Sequence, residues 1–300
     1  MNWFFDWDGT MTTTDTLSVV ASIGYTKHRD QKLPPWSYFT DAYLSDYKAH
    51  NAMHEPKPGS SKSIEEFLEW QERFVEVERA SVERVERAGI FANVSITDID
   101  NAAREAVESR SVLLRPGLVS LIEKIQERGG STTIVSINWS ARFIYSCLGS
   151  AREPRTQAQP QKVNIRANEI GSGSSAKLTR TFAGEDRGIW TARDKERIML
   201  AELQAEPQQR SSVYIGDSPS DLSCLLLANV GICIRDNELN NEQSSLWELL
   251  HRFNITCRHI GKYSHRRSTD YKSFKRLWWA KDFNEISESA LFEYEHVSLE

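Results

Sequence analysis

The stretch Trp3-Phe4-Phe5-Asp6-Trp7-Asp8-Gly9-Thr10 decides the fold. Three bulky apolar residues in a row read as a strand buried on both faces, the habit of parallel sheets. The chain then turns at Asp8-Gly9. In open α/β sheets, ligands bind beyond the carboxyl ends of strands. Two carboxylates two positions apart, Asp6 and Asp8, therefore stand where a ligand is expected, and a turn opened by Gly9 lets both converge on one phosphate. In that role Asp6 is a nucleophile, one oxygen attacking phosphorus while the other holds a metal. Asp8 is the general acid that protonates the leaving alkoxide, then the base that activates water. An Asp-Gly turn capped by its own carboxylates is the plain structural alternative.

Working outward, four more short bursts read as buried strands: Thr132–Ser136, Val213–Gly216, Val230–Ile234 and, more weakly, Cys257–Ile260. Helical patterns separate them. Leu118, Leu121, Ile122 and Ile125 follow the i, i+3, i+4, i+7 rule, and Gly129-Gly130 ends that helix. Further helices are expected from about Asp194 to Ala205 and from Ser218 onward, with Pro219 at the first helical position. Strands alternating with helices predict a Rossmann-like parallel sheet covered on both faces. Residues 12–109 break the rhythm. They hold no strand burst but one long helix from about Ile64 to Ala88, with Ser63 and Glu66 as a capping box and an apolar stripe of Ile64, Phe67, Trp70, Phe74 and Val77. The organisation expected is α/β: a core of residues 1–11 plus 110–262, an inserted helical cap at 12–109, and a basic-then-acidic tail at 263–300 ending in an amphipathic helix on Trp279, Phe283, Ile286 and Ala290. Between 151 and 187 a surface excursion is expected, with Val163–Arg166 and Leu178–Phe182 as a hairpin.

Three further signals fall at strand ends or helix starts. Asp217, in the run IGDSPSD at 215–221, is placed to share a divalent cation with Asp6 and Asp8. An all-oxygen site suits magnesium. Asp221 has two readings: a helix-start cap partner of Ser218, or a residue holding a lysine or a metal-bound water. Ser136, followed by Asn138 and a helix start, is placed to grip a phosphate oxygen, and a cap or turn role is its alternative. A lysine must neutralise the phosphoryl group. Lys162, Lys177 and Lys195 are the candidates, and Lys195 is preferred because its helix leads into the Asp217 strand. The phosphate-binding set is thus Thr10, Ser136, Asn138 and Lys195.

With these residues in order, the sequence resembles the haloacid dehalogenase superfamily of phosphotransferases, with Asp6/Asp8, Ser136, Lys195 and Asp217/Asp221 at its four motifs. Within it the chain is similar to the phosphoserine-phosphatase-like branch, and particularly to the methylthiopentenyl-phosphate phosphatases. Leu114–Leu121, Asn164–Glu169 and Ile234-Arg235-Asp236 carry that likeness. The resemblance implies a magnesium-dependent phosphatase that hydrolyses a small phosphate monoester through an aspartyl-phosphate, with residues 12–109 as a lid over the substrate. Ile137-Asn138 stands where that branch commonly has small residues, which brings Trp139 close to the site. A phosphomutase on the same fold and a non-catalytic binding or regulatory protein are the alternatives. A dehalogenase needs neither Asp8 nor Asp217.

Composition limits the rest. Of 300 residues, 37 are Lys or Arg and 42 Asp or Glu, a formal charge of −5, which excludes a globally basic nucleic-acid binder. The basic run 262–276 reads as a solvated or core-docking face. No apolar run approaches the roughly 20 residues of a membrane helix. Cys147, Cys224, Cys233 and Cys257 show no paired spacing and read as reduced thiols. No basic-then-apolar leader precedes Asp6, so a cytoplasmic protein with a small phosphorylated metabolite as partner is expected. His50 and His54, four apart, lack an acidic partner. The aromatics Trp36, Tyr38, Phe39, Tyr43 and Tyr47 read as core of the insertion.

Overall fold

The computed structural model describes residues 1–54, 61–150, 163–174, 177–178, 181–182, 185–186, 188–205, 211–264 and 276–293. Nine strands are found among them: β1 (Asn2–Phe5), β2 (Ser131–Val135), β3 (Val163–Arg166), β4 (Thr181–Phe182), β5 (Glu185–Asp186), β6 (Ser212–Gly216), β7 (Val230–Ile234), β8 (Thr256–His259) and β9 (Arg276–Ala280). Seven of these form one sheet in the order β3-β2-β1-β6-β7-β9-β8. Each neighbouring pair is parallel. The fold is an α/β Rossmann-like core with helices on both faces.

The sheet is central because its strands alternate between two apolar layers. In β1, Trp3 and Phe5 enter one hydrophobic cluster and Phe4 the other. In β6, Val213 and Ile215 join the first layer and Tyr214 the second. The order reverses beside β1, which has β2 on one side and β6 on the other. A crevice opens beyond the carboxyl ends at such a reversal.

The helices are α1 (Leu17–Lys27), α2 (Trp36–Met53), α3 (Ile64–Arg73), α4 (Val75–Arg87), α5 (Ile96–Glu108), α6 (Leu118–Glu127), α7 (Ala141–Ser150), α8 (Ala192–Ala205), α9 (Leu222–Leu227), α10 (Asn241–Arg252) and α11 (Phe283–Ser287). Helices α6, α7 and α11 pack in the first layer and α8, α9 and α10 in the second. Between β1 and α6 the described chain is helical, and this insertion divides between the layers. Val20 and Ile23 of α1 and Ile99 and Ala103 of α5 join the first, while Phe67 and Trp70 of α3 join the second. Arg142 of α7 holds Asp100 of α5 through two hydrogen bonds of 2.6 Å.

Four expectations differ from the structure. The single helix over 64–88 is two, α3 and α4, broken at Phe74. The stripe nevertheless runs across the break, with Phe67, Trp70, Phe74 and Val77 in one layer. The expected Ser63 cap is present, accepting from the Glu66 amide at 3.2 Å. Val163–Arg166 is not half of a hairpin but the parallel edge strand beside β2. The two-residue β4 pairs instead with β5, and residues 179 and 180 of the expected hairpin lie outside the described residues. The tail is not purely helical either. Arg276–Ala280 enters the sheet between β7 and β8, because Leu277 and Trp279 face one layer and Trp278 and Ala280 the other. Phe283 and Ile286 do lie on a short helix, α11. Finally, the helix expected from Ser218 begins as a 3-10 turn, Pro219–Asp221, before α9.

Of the basic run, residues 265–275 lie outside the described residues, as does Lys162. The four cysteines are free thiols, three of them buried. Among the described residues, no helix is long and apolar enough to cross a membrane. Of the aromatic group, Phe39 is buried and Tyr38 half exposed. His50 packs tilted against His54 and edge-on to Phe74, and neither histidine belongs to a metal-type cluster among the described residues.

Candidate active site

Strand β1 delivers Asp6 to the edge. The Asp6 amide donates to the Ile215 carbonyl at 2.9 Å, extending the ladder one residue past Phe5. The next five residues wind into a tight turn closed by the Thr12 amide on the Trp7 carbonyl at 3.1 Å. Gly9 sits in it at φ 72°, and a Cβ there would lie 2.3 Å from Asp217 Oδ2. Both the backbone angle and the approach demand glycine. Arg115 braces the turn from behind, donating to the Thr10 and Gly9 carbonyls at 3.0 and 2.8 Å and pairing with Asp236.

Strand β6 delivers Asp217 beside it. Thr10 Oγ1 donates to Asp217 Oδ1 at 2.9 Å. Carboxylate oxygens of Asp6, Asp217 and Asp221 lie within 4.8 Å of one another, all three residues buried. Lys195 enters from the start of α8, where Asp194 accepts from the Trp190 and Thr191 amides at 3.0 Å. Its Nζ donates to Asp6 Oδ1 and Asp221 Oδ1, each at 2.8 Å, and lies 3.3 Å from Ser220 Oγ. Asp221 fills both of its expected roles. It accepts from the Ser218 amide and hydroxyl as a capping box, and it holds the lysine. Tyr214 Oη adds another donor at 2.8 Å.

Asp8 is placed differently from expectation. Its carboxylate does not join the Asp6–Asp217–Asp221 group. Oδ1 accepts from the Thr16 amide at 2.7 Å and hydroxyl at 2.6 Å, and Oδ2 from Asn138 Nδ2 at 2.9 Å. The reason is that the Asp8 side chain leaves the turn toward the start of α1 and the loop after β2. Asn138 is thereby turned to Asp8, and its amide donates to Ser136 Oγ at 3.0 Å. Thr10, expected on phosphate, spends its hydroxyl on Asp217. Ser136 follows the end of β2 and Lys195 lies in the first turn of α8, both almost fully buried. Lys177 is exposed and outside the group. Trp139 is drawn into the insertion, edge-on to Trp36 and Phe91 at 6.0 and 6.1 Å.

Burial and crowding control the charges. Burial first, then the Asp221 carboxylate, push Asp6 up to about 8 against the pull of Lys195. Asp217 is raised well above the carboxylate range by burial, then by Asp6 and Asp221. For Lys195, burial favours the neutral amine, but Asp221 and Asp6 outweigh it and hold the ammonium above its ordinary value. Burial and then Asp15 raise Asp8 to about 6, with Thr16 and Asn138 opposing. Three buried carboxyl groups share one ammonium, and the raised values of Asp6 and Asp217 show protons relieving the crowding that a further cation would otherwise relieve; their donor set is oxygen only. Both properties fit a hard divalent cation such as magnesium.

Thr16, Tyr214 and Arg115 escaped the sequence reading. Thr16 had a signal, a threonine just before the apolar run of α1. Tyr214 had only its place in strand alternation, and Arg115 only its place before Pro116-Gly117.

This parallel sheet, with Asp6, Lys195 and Asp217 gathered at its carboxyl edge, is a fold the chain shares with a solved nucleotidase. Cytosolic 5'-nucleotidase IIIB, solved with cytidine, matches it with a TM-score of 0.52 at 15% identity, over 84% of this chain and 78% of the nucleotidase. A phosphoserine phosphatase complex gives a TM-score of 0.45 at 15% identity, over 83% of this chain and 96% of that one. In sequence, a CTO1 family protein of Schizosaccharomyces pombe is 27% identical over 262 residues, 84% of this chain and 86% of that protein. Cold tolerance protein 1 of Saccharomyces cerevisiae is 27% identical over 244 residues, 74% of each chain. The mitochondrial Bifunctional TH2 protein of Arabidopsis thaliana is 22% identical over 253 residues, 77% of this chain but 39% of the plant protein. No family model matches the chain.

Proposed function

We propose that this chain is a magnesium-dependent phosphatase that hydrolyses a small phosphate monoester through an aspartyl-phosphate on Asp6. The observation that carries the proposal is the convergence of Asp6, Asp217 and Lys195 at the carboxyl edge, with Asp8 held separately nearby. Asp6 attacks phosphorus through a carboxylate oxygen, and the phosphorus–oxygen bond to the leaving group breaks. Asp8, in its protonated form, hands its proton to the departing oxygen. In the second half Asp8 takes a proton from water, whose oxygen attacks the acyl-phosphate and frees Asp6 and inorganic phosphate. A value near 6 for Asp8 supports both duties close to neutral pH. Lys195 and the Ser136 hydroxyl supply positive charge and a donor to the phosphoryl oxygens. Magnesium, held by Asp6 and Asp217 with Asp221 behind them, would neutralise the phosphate dianion and the charge that builds at phosphorus.

In this reading α1–α5 form the cap that excludes water, and the partner is a small phosphorylated metabolite rather than nucleic acid. The free thiols support a cytoplasmic setting. The test is free-phosphate release from a panel of phosphorylated metabolites, with and without magnesium. Release should need magnesium, and Asp6→Asn should lower it by about 10⁴-fold or more. Silence on the whole panel, or an Asp6→Asn protein as active as wild type, would sink the assignment. Transfer of phosphate back to product without release would mark a mutase instead.

A further inference from the structure

Thr16, at the start of the inserted helices, stands behind Asp8 in a network whose hydrogens can be counted. Thr16 is fully buried and Asn138 nearly so, while Asp8 is only half-buried. The Trp7 indole nitrogen and Asn138 Nδ2 each lie 3.1 Å from Thr16 Oγ1. An indole nitrogen only donates. Asn138 is oriented by the Ser140 amide, which donates to its Oδ1 at 3.1 Å, so its NH₂ faces Thr16 and Asp8. Both lone pairs of the Thr16 hydroxyl are thereby taken, and its one hydrogen must go to Asp8 Oδ1 at 2.6 Å. The Thr16 amide fills the same oxygen from 2.7 Å. Among the described residues Oδ2 has a single donor, Asn138 Nδ2 at 2.9 Å, and so keeps one acceptor position open. Asp8 is also close enough for its charge to raise Asp6.

We infer that Thr16 is a positioning residue for proton transfer: it pins Oδ1 of Asp8 so that Oδ2 faces the leaving group. The inference rests on the phosphatase reading. The Asp8 proton passes from Oδ2 to the departing oxygen as the phosphorus–oxygen bond breaks. In the second half a proton from water returns to Oδ2 as the water oxygen attacks phosphorus. Thr16 acts through Asp8 and not on the substrate. Its carbonyl accepts from the Val19 and Val20 amides at 3.0 Å, which starts α1. The first inserted helix and the loop after β2 therefore hold the acid between them, and the insertion does more than cover the substrate.

The experiment measures kcat/KM for p-nitrophenyl phosphate and an alkyl ester with wild type, Thr16→Val and Thr16→Ser, in magnesium buffer. The alkyl ester is ethyl phosphate, or the best alkyl ester of the metabolite panel if wild type does not cleave it. Valine keeps the size and branching of threonine but has no hydrogen to give Oδ1. An alkoxide needs a proton to leave, whereas nitrophenolate departs without one, so the alkyl ester reads the acid. Thr16→Val should raise the nitrophenyl-to-alkyl ratio about tenfold. Thr16→Ser, which restores the hydroxyl, should return it to within about threefold of wild type. The ratio is taken within one preparation, so partial unfolding cancels from it. The inference is overturned if Thr16→Val lowers both esters in proportion, or if serine fails to restore the ratio. Thr16→Ala replaces valine if that variant does not fold; if neither folds, Thr16 is a structural residue and the inference is overturned as well. Should wild type release phosphate from neither ester nor from the metabolite panel, the phosphatase reading itself fails and takes this inference with it.

Discussion

Two carboxylate networks stand within a few residues of each other and are compensated in opposite ways. Asp6, Asp217 and Asp221 surround a single buried ammonium, Lys195, with Thr10 and Tyr214 as extra donors. Among the described residues Asp8 is held by no cation, only by the backbone amide and hydroxyl of Thr16 and the side-chain Nδ2 of Asn138. In the first, burial and mutual repulsion raise Asp6 and Asp217, so crowded acids share one ammonium by holding protons. The second is an acid held by neutral donors with the Asp15 carboxylate nearby, and it gains or loses a proton near neutrality. A third case, Glu78 of α4, has the Tyr43 phenol at 2.8 Å, and burial raises it to about 7. The half-buried Asp98, with Lys27 and Ser95 as donors, is lowered to about 2 by those bonds. The series shows that donors and solvent, rather than residue type, decide which acid can move protons.

The comparison can be broken most severely at Lys195. Lys195→Met strips the first network of its cation and leaves buried carboxylates uncompensated, so it should cost about 3–5 kcal/mol of stability. Urea denaturation of the metal-free protein measures it; a loss below about 1 kcal/mol would show that the lysine is not what holds the network. Next comes Asp8→Asn, which preserves the shape of the second network but removes its proton. Phosphate release should fall by roughly 10²–10⁴-fold while the fold is unaffected. If steady-state turnover is unchanged, Asp8 is not the proton carrier.

The smallest effect is at Glu78 and concerns pH. A carboxyl raised in the folded state from 4.5 to about 7 supports folding fully below 4.5 and loses that support as pH climbs through 7. Glu78→Gln should therefore melt at the same temperature as wild type at pH 4 and at a higher one at pH 8. Parallel melting curves across that range would remove Glu78 from the series.

The first strand and its turn are local features of the sequence. The strand Trp3–Phe5 and the turn after it are contiguous, so Asp6 at a strand end needs only alternation and a glycine to be inferred. The same holds for β6 with Asp217, where Pro219 and Asp221 also marked the helix start. The misplacements came where local patterns compete. Trp279, Phe283, Ile286 and Ala290 keep helical spacing, yet Arg276–Ala280 is a strand, because β7 and β8 leave a slot that its two-sided apolar pattern fills. The break at Phe74 carries no proline or glycine, and an unbroken stripe hid it.

Chemistry-bearing side chains divide along the same line. Sequence alone established that acids stand at the ends of β1 and β6, since a strand's exit point is a local property. Only the folded chain decided which of them share a cation. Asp8 is directed by Asn138, 130 residues away, Asp6 meets a lysine 189 residues away, and Gln71 reaches Pro219 across 148. Contacts of that range come from how strands are ordered and how the inserted helices pack, and no periodicity within a short window encodes them.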